Sequence, residues 1–123
     1  MNMHTKTKFA TLSASTINGT DVVNSAGENL GNIEDIMIDF NAGRIAYAVL
    51  SFGGFLGLGE KYFAVPMEAM MLDTENERVI FDVDKDRLKN APGFNKDNWP
   101  QTPNQEWYDT VYSYYDIVPY WRS

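Results

Sequence analysis

The sequence predicts an all-β fold, a small β-barrel of short antiparallel strands with a C-terminal helical tail that is rich in aromatic residues. Three observations support this prediction. Residues 28–66 hold most of the apolar residues that could form a core and divide into three strand-like segments. Turn signals separate the short apolar segments. Beyond residue 91 the strand pattern ends, and prolines, tryptophans and a run of tyrosines take its place.

Length and charge limit the classes of protein to consider. A chain of 123 residues is long enough for one domain with a sizeable core. Its 10 basic and 17 acidic residues give a net charge of −7, which argues against direct binding of nucleic acid and against docking on an anionic membrane. No apolar run has the length of a signal peptide or a membrane span, so we expect a cytoplasmic protein without membrane insertion.

Residue types also limit the chemistry. The chain has no cysteine, and its single histidine, His4, lies near the start. Disulfides, cysteine-ligated metals, zinc sites and histidine-based triads are therefore not expected. Residues 1–14 are polar and are expected to form a flexible lead-in.

The first strand of the central stretch is predicted over residues 30–40. Asn18-Gly19-Thr20 and residues 25–28 supply turns before it. Ile36, Ile38 and Phe40 fall on one face of this strand, but Ile33 is out of phase with them, which predicts a bulge within residues 31–35. Asn41-Ala42-Gly43 then closes a hairpin, with Gly43 in a left-handed conformation.

The second strand, residues 44–52, is apolar on both faces. A sheet with one solvent-exposed side would show alternation, so we expect the core to cover one face and the tail or another subunit to cover the other. The third strand is predicted over residues 61–65 and ends before Pro66.

The remaining segments are shorter. Residues 67–72 predict a helical turn that leads into a strand, residues 78–83 another strand, and residues 84–89 a helical turn with acids first and bases last. A helix is predicted from Pro103 to about Tyr115, with Thr102 as its N-cap and Gln105 completing a capping box. The aromatic stripe on this helix indicates packing rather than cofactor binding.

Two patterns suggest ligand binding but do not meet its requirements. The glycine-rich segment 53–61 lacks the Lys-Ser/Thr ending of a phosphate loop and precedes a strand rather than a helix, so it predicts a connector that displays Phe55, Leu56 and Leu58. Asp82, Asp84 and Asp86 alternate like calcium ligands, but the required glycine and final glutamate are missing. A strand end followed by a helix N-cap fits these aspartates better.

A third group of acids, Glu34, Asp35 and Asp39, has no nucleophile beside it. Arg44 lies across the hairpin from these residues, so a salt bridge is expected there instead. We therefore predict no catalytic, cofactor-binding or metal-binding residues, no cofactor and no enzymatic activity.

Several motifs together resemble a known family. They are LGNIEDIMID (residues 30–39), GRIAYAVLS (43–51), GGFLGLGEK (53–61) and AVP (64–66). This order resembles the PRC-barrel domain, found in the cytoplasmic domain of the photosynthetic reaction centre H subunit and in a ribosome maturation factor. The resemblance implies a PRC-barrel domain over residues 15–90 and a helical tail over residues 91–123 that packs on the barrel or on a partner subunit.

The resemblance also implies a role without catalysis. Short stand-alone bacterial members with a similar tail are described as stress-associated, and the family shares no catalytic residues. The predicted function is an interaction module that self-associates, with a dimer favoured, or binds a protein partner. The residues predicted for the contact are apolar or aromatic: Phe52, Phe55, Leu56, Leu58, Trp107, Tyr108 and Tyr112. The alternatives are a ribosome- or RNA-processing-associated factor acting by protein contact, and a small-molecule or metal binder that uses surface carboxylates.

Overall fold

The structure is a computed structural model that describes residues 11–52, 61–94, 100 and 104–122. Its strands are β1 (Asp21–Val23), β2 (Asn29–Asp39), β3 (Arg44–Phe52), β4 (Lys61–Val65), β5 (Met70–Asp73), β6 (Arg78–Phe81) and β7 (Gly93–Phe94). Its α-helices are α1 (Ala14–Ile17), α2 (Lys85–Lys89) and α3 (Gln105–Tyr114), and 3-10 turns span Met67–Ala69 and Tyr120–Arg122.

The strands form one mixed sheet in the order β5-β6-β1-β2-β3-β4-β7. Neighbouring strands are antiparallel except β1 and β6, which are parallel, so the prediction of an all-antiparallel sheet is wrong at that pair. Among the described residues no backbone pairing joins the end strands β5 and β7. The sheet therefore encloses a core without closing through hydrogen bonds.

The β2–β3 hairpin follows its predicted course. Its register shifts between Ile33 and Asp35, which confirms the bulge. Gly43 closes the turn with a φ of 66°. Gly31 has a φ of 115°, and a Cβ added to it would lie 1.9 Å from the carbonyl oxygen of Ser51, so only glycine allows β3 to approach this closely.

β3 is buried on both faces. Ala48, Leu50 and Phe52 point into the core that the curved sheet encloses, while Tyr47 and Val49 point to the opposite side. On that side α3 and the residues after it complete a second apolar cluster. Of the two covers that the sequence left open for this face, the structure shows the chain's own tail.

The shorter predicted elements also form. Asp84 caps α2 by accepting a hydrogen bond from the backbone N–H of Arg87 at 2.7 Å, as expected for a helix N-cap. The N-cap of α3 was predicted wrongly, because Asn104, rather than Thr102, accepts the N–H of Trp107. α1 was not predicted; Ser13 caps it by accepting the N–H of Thr16.

Candidate interaction surface

Two residues predicted for a contact surface lie in the core. Phe52 is 5% exposed and packs against Phe63, with ring centroids 6.5 Å apart. Tyr112 is fully buried, and its hydroxyl donates to the carbonyl oxygen of Ala46 at 2.6 Å. Neither side chain is accessible to a partner, so the prediction is corrected for both: their apolar or aromatic character serves internal packing.

The other predicted residues divide into two groups. Phe55, Leu56 and Leu58 lie outside the described residues. Trp107 and Tyr108 are half-buried on α3, and their rings pack against Tyr47 of β3 at centroid distances of 5.4 and 6.0 Å. These two aromatic residues mainly cover the outer face of β3.

The tip of the β2–β3 hairpin presents apolar side chains to solvent. Phe40 is 92% exposed and Ile38 is 57% exposed, whereas Ile36 on the same predicted face packs against the core. The alternation in the sequence placed all three residues on one face, but it did not predict the register shift between Met37 and Ile38, which separates Ile36 from the two exposed residues. Two large exposed apolar side chains this close together mark a candidate contact site.

Beside this tip lies a cleft of about 410 Å³ between the hairpin and the tail. The residues that line it are polar or aromatic, among them Asp39, Phe40, Gln105, Tyr108, Tyr120 and Trp121. The ring of Trp121 meets the rings of Tyr108 and Tyr120 at centroid distances of 5.8 and 5.0 Å and interplanar angles of 69° and 81°. Of the predicted surface residues that the structure describes, only Tyr108 lines this cleft.

Asp39 carries the negative charge of the cleft. The hydroxyl of Tyr120 donates to its carboxylate at 2.6 Å, and the backbone N–H of Ala42 donates at 3.1 Å. These two hydrogen bonds, together with a smaller attraction from Arg44, lower the pKa of Asp39. The group is therefore a carboxylate at neutral pH.

Arg44 pairs with a different acid from those predicted. Its guanidinium lies 2.9 Å from the carboxylate of Glu68, while its carbon Cζ lies 3.9 Å from the ring centroid of Tyr120. The expected salt bridge to Glu34, Asp35 or Asp39 is therefore replaced by an ion pair with Glu68 and a cation–π contact.

A second groove, of about 410 Å³, lies between α1 and β5 and is mainly apolar. Leu12, Ile17, Met67, Met70, Met71 and Leu72 contribute to its lining. Because methionine side chains are flexible, Met67, Met70 and Met71 allow this groove to adapt to apolar groups of different shapes.

Two other kinds of feature are absent from the described residues. In the part of the chain that the structure describes, no three His, Asp or Glu side chains are grouped to hold a metal ion. Within the same residues, no helix combines the length and the apolar character needed to cross a membrane.

The described residues form a small β-sheet protein whose surface includes an apolar hairpin tip and two grooves. Residues 10–88 match the family model described as PRC-barrel domain. This match covers more than half of the chain, and the chain belongs to the PRC-barrel family.

Other comparisons add a structural likeness. No protein of curated function matches the chain. Among solved structures it is similar to a protein from Pseudomonas aeruginosa described as the 16S ribosomal RNA processing protein RimM, with 16% sequence identity and a TM-score of 0.43. The alignment covers 66% of this chain and 49% of that protein, so the chain spans about half of its length.

Proposed function

We propose that this PRC-barrel protein is a non-catalytic module that binds another protein through the tip of the β2–β3 hairpin and the adjoining cleft. The observation that carries the proposal is the exposure of Phe40 and Ile38 beside a cleft with aromatic walls. Large apolar side chains exposed side by side are typical of a surface that a binding partner covers.

The cleft is poorly suited to proton transfer near neutral pH. Burial, and then its contact with Asp39, raises the pKa of Tyr120 to about 12, and burial raises the pKa of Tyr108 as well. The hydrogen bond from Tyr120 lowers the pKa of Asp39, which is therefore already ionised at neutral pH. A general acid or base works best with a pKa near the working pH, so these groups support binding rather than catalysis.

Self-association is the less favoured form of this function. The apolar outer face of β3 was one of its supports in the sequence, and the chain's own tail packs on that face. A dimer that uses Phe55, Leu56 and Leu58, which lie outside the described residues, stays a prediction from the sequence.

The test compares exposed apolar residues at two places. Phe40→Asp places a charge at the apolar tip, and Leu12→Asp places the same charge at the other groove. Each chain is immobilised and exposed to extract from the cells in which the protein occurs, and the captured proteins are quantified by mass spectrometry. We expect one set of proteins to bind the wild type and the Leu12→Asp variant and to be lost with Phe40→Asp.

Equal capture by all three chains would contradict the proposed surface. Light scattering over a range of concentrations examines self-association in the same samples. If the wild type is a dimer and Phe40→Asp is a monomer, the partner at the hairpin tip is a second copy of the chain. If only the Phe55→Asp, Leu56→Asp double variant is a monomer, the dimer contact lies in the glycine-rich segment instead.

Binding to the ribosome through a protein contact would be one case of the proposed function. It remains a prediction from the family resemblance. Co-sedimentation of the wild type, but not of Phe40→Asp, with ribosomes at moderate salt would support it, and equal co-sedimentation of both chains would exclude this surface.

A further inference from the structure

We infer that the cleft between the β2–β3 hairpin and the tail binds the guanidinium group of an arginine side chain on the partner protein. This inference rests on the proposed function and specifies the chemistry of the partner. It depends on three features of the described residues: a carboxylate that is in no salt bridge, aromatic rings set at steep angles to one another, and a guanidinium that already lies on one of those rings.

The carboxylate of Asp39 accepts hydrogen bonds from Tyr120 and Ala42 but has no salt bridge to a described residue. Among the described residues, none of the ion pairs includes Asp39. Arg44, which lies opposite Asp39 in the β2–β3 register, forms its ion pair with Glu68 at 2.9 Å and does not line the cleft. A charge that is satisfied only by neutral donors leaves room for a cation from outside.

The aromatic rings add a second attraction. Tyr108, Tyr120 and Trp121 line the same cleft, and Trp121 stands nearly perpendicular to the other two rings. A cation placed against such rings is attracted by the negative electrostatic potential of their faces. The volume of about 410 Å³ can admit the end of one arginine side chain.

A guanidinium group of the chain itself already contacts one of these aromatic rings. Arg44 places its guanidinium 3.9 Å from the ring centroid of Tyr120, the same ring whose hydroxyl binds Asp39. The planar guanidinium stacks on rings and donates in fixed directions to carboxylates, which a lysine ammonium does not. For this reason we assign arginine rather than lysine.

Charge complementarity favours a basic partner at longer range. The net charge of −7 attracts basic surfaces during encounter and repels a second copy of the same chain. The exposed Phe40 at the rim of the cleft would contact the aliphatic part of the arginine side chain and the residues around it.

The experiment titrates the full chain with N-acetyl-arginine amide and follows protein chemical shifts by NMR. N-acetyl-citrulline amide, its uncharged isostere, and N-acetyl-lysine amide serve as comparison ligands. We expect saturable shifts at Asp39, Tyr108 and Trp121 with the arginine compound, weaker binding of the lysine compound and none of the citrulline compound.

Two matched variants locate the charge. Asp39→Asn keeps a side-chain oxygen that can accept from Tyr120 and should weaken binding about fivefold or more. Glu34→Gln removes an exposed charge from the same strand, away from the cleft, and should leave the affinity unchanged. Thermal unfolding confirms that both variants fold, and increasing salt should weaken binding to the wild type.

The inference is overturned by unsaturable or scattered shifts, by equal binding of the citrulline compound, or by unchanged affinity in Asp39→Asn. Equal binding of the lysine compound would overturn the assignment to a guanidinium. The inference can fail while the proposed function holds, because Phe40→Asp could still abolish capture of a partner that brings no arginine to the cleft. Conversely, the arginine compound could bind a cleft that no protein uses.

Discussion

At the scale of single residues, Tyr112 completes a backbone hydrogen bond that the sheet leaves open. The β2–β3 register passes from Tyr47 opposite Met37 to Ile45 opposite Ile38, so Ala46 has no partner on β2, and the β4 pairing begins only at Ala48. The hydroxyl of Tyr112 donates to the carbonyl oxygen of Ala46 in the buried interior. Tyr112, which the sequence predicted for surface contact, thus supplies a hydrogen-bond donor to a backbone carbonyl at an irregular point of the sheet.

We predict that Tyr112→Phe lowers the free energy of unfolding by about 1–3 kcal/mol, because the buried carbonyl loses its donor. Chemical denaturation measures this loss. Tyr115→Phe is the matched control. Within the described part of the chain the buried hydroxyl of Tyr115 has no hydrogen-bond partner, so its removal should leave the stability unchanged or raise it. Similar losses in the two variants would show that the Tyr112–Ala46 hydrogen bond contributes nothing specific.

Single residues also show what a sequence can predict. Gly43 was predicted because a tight hairpin turn requires a residue that tolerates positive φ. Asn24 was not, although its side chain is buried and makes hydrogen bonds to Glu28 and to the carbonyl oxygen of Val83. Those contacts include one across 59 sequence positions, and no local pattern reveals a partner at that distance.

At the scale of elements, the tail is attached at two places besides its apolar face. Arg87 of α2 donates to the carbonyl oxygen of Tyr114 and to the carboxylate of Asp116, the latter at 3.3 Å. The 3-10 turn at the end of the chain reaches the hairpin through the Tyr120–Asp39 hydrogen bond. The tail therefore packs across β3 and positions one wall of the cleft.

We predict that Val111→Asp separates the tail from the sheet. Val111 is buried between α3 and the sheet, and an unpaired charge at such a site costs about 3–5 kcal/mol. The outer face of β3 would then be exposed, so the variant should bind a hydrophobic dye and self-associate. Ser113→Asp, on the exposed side of the same helix, should do neither. A monomeric Val111→Asp variant of normal stability would contradict this account of the tail.

The sequence predicted elements better than their ends or their partners. β3 and β4 have their predicted bounds. Each is a continuous apolar run, and the residues that follow it, glycines after β3 and a proline after β4, mark where it ends. The N-cap of α3 was predicted two residues too early because Thr102 and Asn104 are both good caps. The parallel β1–β6 pair was not predicted, since each strand is too short to show which neighbour it will have.

At the scale of the whole molecule, one strand separates two apolar clusters. β3 contributes alternate residues to the enclosed core and to the cluster under the tail, which explains why its sequence is apolar on both faces. The sequence showed that both faces must be covered, but it could not distinguish the tail from a second subunit, because both would present similar apolar residues. The candidate site arises from the same arrangement, since the tail forms the wall of the cleft opposite the hairpin.

The central claim is that each chain covers its own β3, which leaves the hairpin tip and the cleft for a partner. An equal mixture of isotope-labelled and unlabelled chains, unfolded and refolded together, tests it most directly. Isotope-filtered NMR then separates contacts within a chain from contacts between chains. We expect the Tyr112 ring to contact Ala46 and Tyr47 only within one chain. Contacts of this ring with Ala46 of a second chain would show that the tail covers another copy and would contradict the account.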